Sequence, residues 1–117
     1  MENEGLYTKI VYRSNYLYNE GLKKAKVRDL SGAVICLRES LSLNRKNTNA
    51  RNLLGLVYFE MGEVVQALAQ WIISRNNDTS KDNPALYYMD KIKSNQGKLE
   101  AIDQTLHKYN QALQYTY

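Results

Sequence analysis

Residues 48–81 read TNARNLLGLVYFEMGEVVQALAQWIISRNNDTSK. Leu53, Leu54, Val57, Tyr58 and Met61, followed by Val64, Leu68, Trp71 and Ile72, return at intervals of three and four, the spacing that keeps apolar side chains on one face of a helix. The stretch therefore reads as two amphipathic helices parted at Gly62. Outward from it the same marks recur every 34 residues: Gly21 and Gly55, then Ala33, Ala67 and Ala101, then Val34, Leu68 and Ile102. A repeat of that length marks stacked helical hairpins, each burying its apolar face against its neighbours. The expected fold class is all-α.

Turn signals fall between the helix-length segments at Arg28 and Asp29, Asn44 to Thr48, Gly62, Arg75 to Asn83, and Asn95 to Gly97. Six helices are predicted, near residues 5 to 27, 30 to 43, 48 to 61, 63 to 75, 84 to 95 and 98 to 115. Asp29 is placed to cap the second, because its carboxylate can accept an orphan amide hydrogen at the helix start. Asn83 before Pro84 is a further cap, since proline tolerates the first helical turn. Gly62 and Gly97 are predicted left-handed helix ends. Short connections predict that sequential helices pack antiparallel.

Composition supports this class. One proline and six glycines in 117 residues, with 44% hydrophobic content, suit one folded helical domain of modest core. Cys36 is the sole cysteine, which excludes an internal disulfide or a cysteine-based zinc site and fits a reducing compartment. No run approaches the roughly 20 apolar residues that span a bilayer. The opening MENEGLYTKIVYR lacks the pattern of a secretory signal, so a cytoplasmic location is expected. The Asn77–Thr79 sequon is short enough to arise by chance.

Residues 48–81 resemble a tetratricopeptide repeat through Leu54, Gly55, Tyr58, Gly62, Ala67 and Trp71. Residues 14–47 keep Gly21, Ala33 and Leu37 but carry Glu20 and Lys24 where Leu and Tyr would stand. Residues 82–115 keep Tyr88 and Ala101, with Met89 in place of the glycine and Thr105 in place of the large residue. None has the usual proline after its second helix. The resemblance implies a right-handed α-α superhelix of three antiparallel helix pairs over residues 14–117, in repeats 14–47, 48–81 and 82–115. Residues 1–13 are expected to form a helical N-terminal extension, and Leu6, Ile10 and Leu17 of the long first helix are expected to cover the open end of the stack.

In that family the first helix of each repeat lines a concave groove that takes an extended or helical segment of a partner protein. By register the lining comprises Asn15, Tyr18, Leu22 and Lys26, then Asn49, Asn52, Leu56 and Phe59, then Asn83, Leu86, Asp90 and Lys93. Asparagine recurs at 15, 49 and 83, where an amide could hold a peptide backbone or cap a helix. The apolar members could equally pack beneath the first helices. Tyr18 and Leu22 stand where some grooves of the family place groups that grip a terminal carboxylate, so that ligand is not expected.

The net charge of +4 is uneven, with eight Lys or Arg against three acids in residues 20–51. A patch of Lys23, Lys24, Lys26, Arg28, Arg45, Lys46 and Arg51 could attract nucleic acid or acidic partners, whereas a solvated helix face needs no ligand. Ten tyrosines, several in the last third, are an interface signal as well as a packing one. The stripe Leu99, Ile102, Leu106, Tyr109 and Leu113, with Ala112, Tyr115 and Tyr117, extends apolar character to the end of the sequence, which points to a dimer formed there or to a segment of a larger protein. His107 is the only histidine, and no phosphate loop, clustered acid pair or hard-metal ligand set is present. The reading is a non-enzymatic protein interaction scaffold without cofactor or metal.

Overall fold

A computed structural model describes residues 2–93, which form five α-helices with no strand among them. They are α1 (Glu2–Lys26), α2 (Leu30–Leu43), α3 (Thr48–Glu60), α4 (Val64–Asn77) and α5 (Ala85–Lys93). Each matches a predicted helix within a few residues. The sixth predicted helix, Gly97, His107 and the C-terminal stripe lie outside the described residues.

The turn chemistry repeats with the sequence. Gly62 closes α3 in the left-handed region, at φ +81°, with its amide on the Phe59 carbonyl and the Glu63 amide on the Tyr58 carbonyl. That pair of bonds is a Schellman closure. Thirty-four residues earlier Arg28 takes the same conformation, at φ +68°, with its own amide on Ala25 and that of Asp29 on Lys24. A non-glycine residue here carries a steric cost that glycine avoids. Asp29 then caps α2, its Oδ1 accepting from the Gly32 amide at 3.0 Å. Asn47 caps α3 by accepting from Ala50 at 3.1 Å, a role that Asn49, exposed in the first turn, leaves to its neighbour.

The residues that set the repeat also set the helix spacing. A Cβ on Gly21 would stand 2.8 Å from Cγ of Leu37, and one on Gly55 would overlap the Trp71 indole, with Cδ1 and Cε2 at 2.7 Å. Both pairs combine a glycine of the first helix with a large buried residue of the second. Ala33 and Ala67 are fully buried at the same joints. The missing side chain thus lets each pair close until the large residue fills the space.

Each helix packs on the next in sequence, from α1 on α2 to α4 on α5, and α1 also meets α3. One buried cluster, including Leu37, Leu41, Ala50 and Leu54, joins α2 to α3. A second, formed by Ala67, Leu68, Trp71 and Ala85, joins α4 to α5. Tyr58 packs against both. On α1, Ser14, Leu17 and Gly21 are buried at helical spacing. Leu6 is 59% exposed, so it does not cover the end of the stack as expected; Ile10 and Leu17 turn inward.

Candidate functional site

The predicted lining divides into side chains that face solvent and side chains that the fold consumes. Asn15, Asn49, Phe59, Leu86 and Asp90 are exposed, while Tyr18, Leu22 and Leu56 are half-buried. Tyr18 packs on the first core cluster and Leu56 on the second. Phe59 keeps 43% of its surface accessible although its ring lies 6.3 Å from Trp71. The side chain of Lys93 falls outside the described residues.

Asn52 and Asn83 are turned inward. Asn52 donates to Oδ1 of Asn83 at 2.9 Å, and the same oxygen accepts from the Ala85 amide at 3.1 Å, so Asn83 both caps α5 and ties it to α3. Its Nδ2 donates to the carbonyl of Asp78 at 2.9 Å and to Oγ of Ser74 at 3.1 Å. With both amide groups engaged and 3% exposure, Asn83 has no capacity left for a partner's backbone. The row expected at 15, 49 and 83 therefore keeps only its first two members at the surface.

A longer connection explains the departure. Four residues separate α2 from α3 and seven separate α4 from α5. Ala85 in α5 is fully buried as Ala50 is in α3, an interval of 35 residues rather than 34. The burial pattern of α5 is therefore offset by one residue, and Leu86 and Tyr87 are both exposed, at 38% and 57%.

Tyr87 completes an aromatic run between α3 and α5. Its ring meets Tyr88 edge-on at 5.9 Å, Tyr88 lies 5.2 Å from Trp71, and Trp71 meets Phe59. Buried Trp71 is pinned at the centre by its Nε1 donating to the Asn52 carbonyl at 3.2 Å. Lys91 stands 5.2 Å from the Tyr87 ring centroid, and its hydrogen bond with Tyr87 raises its pKa above the ordinary value. Two exposed aromatics thus flank a rigid, buried one, the arrangement in which aromatic surface binds at low entropic cost.

The serine network was not anticipated. Ser14 and Ser40 are fully buried and donate to one another's carbonyls at 2.8 and 2.7 Å. Nδ2 of Asn47 joins them, donating to Ser14 Oγ at 3.0 Å and to Asn15 Oδ1 at 3.2 Å. Ser40 and Ser74, both buried, are 34 residues apart, a signal that apolar periodicity passes over.

The basic patch is likewise divided. Lys23 lies 3.5 Å from Glu20, Lys24 lies 3.8 Å from Asp29, and Arg28 donates to Glu60 at 3.1 Å. Among the described residues no group of three or more His, Cys, Asp and Glu could hold a metal ion, and no helix is long and apolar enough to cross a membrane. No protein-family model matches the chain, and no curated protein matches it.

Proposed function

We propose that the chain is a protein interaction scaffold of tetratricopeptide-like architecture, in which α1, α3 and α5 line a concave groove for an extended or helical segment of a partner protein. The observation that carries this reading is the repeated glycine joint. The same spacing places a glycine against the large residue of the following helix at Gly21–Leu37 and at Gly55–Trp71. Two equivalent joints in a chain of sequentially packed helices favour a right-handed superhelical stack. The groove then presents Asn15 and Asn49 as amide contacts and Phe59 and Tyr87 as aromatic ones. Asn52 and Asn83 act beneath it as braces.

Photo-crosslinking in cells tests the assignment. A benzophenone side chain at 15, 49 or 87 is expected to trap a discrete protein partner, and one at Glu39 or Lys81, both exposed and outside the groove, is expected to trap none. Equal trapping at both sets of positions, or at neither, contradicts the groove.

A further inference from the structure

A second site lies on a different face of the molecule. Between α2, α3 and α4 is a cavity of about 430 Å³. Arg38 and Arg45 reach it from α2 and the following connection, Arg51 and Tyr58 from α3, and Gln66 and Gln70 from α4. Leu41 and Leu54 supply apolar wall, and no lining residue carries a carboxylate. At about 100° of helix per residue, Arg51 and Tyr58 project about 140–180° from the groove positions Asn49 and Leu56 and about 80–100° from Phe59. Arg38, Arg45 and Arg51 also belong to the basic excess of residues 20–51.

We propose that this cavity binds a small phosphate monoester. Arg51 is 6% exposed, and its guanidinium is fixed by Nη1 donating to Gln70 at 3.1 Å and Nη2 donating to the Arg45 carbonyl at 3.0 Å. A cation held rigidly at the wall of a cavity gains from an anion that arrives with its charge partly desolvated. Arg38 and Arg45 are exposed and can close on that anion as planar forks. Three guanidinium groups are better matched by the two charges of a phosphate than by the single charge of a carboxylate. The volume, the Tyr58 ring and the two leucines leave room for a compact organic body beside the phosphate, within the ordinary range of small-molecule pockets.

The test is an NMR titration of the full chain with phenyl phosphate, inorganic phosphate, phenol and a short phosphoserine peptide, with sodium chloride holding the ionic strength constant. Phenyl phosphate is expected to give saturable shifts of the Arg38, Arg45 and Arg51 side-chain Nε–H signals, to bind more tightly than inorganic phosphate, and to lose about tenfold in affinity for each of Arg38→Gln and Arg45→Gln. Both substitutions are at exposed side chains, so thermal melts should show an unchanged fold. The absence of saturable shifts at the three arginines overturns the proposal, as do shifts centred on Lys23 and Lys26 or an affinity unaltered in the double variant. Equal affinity for inorganic phosphate removes the organic body, and tighter binding of a short phosphoserine peptide reassigns the site to a partner's side chain.

Discussion

The α1–α2 pair and the α3–α4 pair are built on one spacing but held by different chemistry. In α3–α4 the gap beside Gly55 is filled by Trp71, whose indole is fixed by a hydrogen bond to the Asn52 carbonyl. In α1–α2 the gap beside Gly21 holds the smaller Leu37, and the pair is tied further along by the reciprocal Ser14–Ser40 bonds and Asn47. The first pair thus gains from a satisfied polar network what it lacks in buried volume. A repeat fixes where helices cross, and each unit is free to choose how the crossing is sealed.

The contrast is broken most strongly at the large residues. Trp71→Ala is expected to cost about 3–5 kcal/mol and Leu37→Ala about 2–5 kcal/mol, with the tryptophan variant the less stable in urea unfolding. A smaller loss for Trp71→Ala than for Leu37→Ala would reverse the assignment of the two seals. Next come the polar ties. Ser40→Ala removes a donor from the buried Ser14–Ser40 pair and is expected to cost about 1–3 kcal/mol; Ser74→Ala, whose partner Asn83 keeps its bonds to Ala85, Asn52 and Asp78, is expected to cost less. Equal losses would show that the network gives the first pair nothing of its own.

The turns sharpen the comparison at a smaller scale. Arg28 and Gly62 close equivalent helices in the same left-handed conformation, so Arg28→Gly is expected to stabilise the chain by about 0.5–1 kcal/mol, less whatever the exposed pair with Glu60 contributes. Gly62→Ala should destabilise it. The α4–α5 connection adds the smallest effect. The Ser80 backbone amide, then its side chain, then the charge of Arg75 hold the Asp78 carboxyl below its ordinary value. A depressed folded pKa contributes stability above the unfolded pKa, and that contribution is lost as pH falls through the folded pKa. The Asp78 carboxyl signal should therefore titrate below the ordinary aspartate range, and a midpoint within or above that range would remove the interaction.

The helices were legible in the sequence because their signals are local. The three-and-four spacing placed α3 and α4, Asp29 announced its cap, and Gly21, Gly55, Ala33 and Ala67 marked the joints. The proposed groove was legible only in part. Asn49 and Asn83 share a register in the sequence, yet one is solvated and the other buried, because the longer α4–α5 connection shifts the third unit by one residue. Nothing short of the loop's path shows that. Ser14, Ser40 and Asn47 escaped because small polar residues inside an apolar face acquire meaning only when their partners, 26 and 33 residues away, are brought to them.

The glycine joint itself is tested most directly by a double-mutant cycle at Gly55 and Trp71, read by urea unfolding. Gly55→Ala in the parent chain is expected to cost about 1–3 kcal/mol, since the added methyl must displace a pinned indole. In a Trp71→Ala background the same change should be neutral or stabilising by up to about 1 kcal/mol, the ordinary gain of alanine over glycine in a helix. A coupling energy above about 1 kcal/mol is the predicted result. Additive losses would mean that Gly55 does not set the distance between α3 and α4, and would contradict the account.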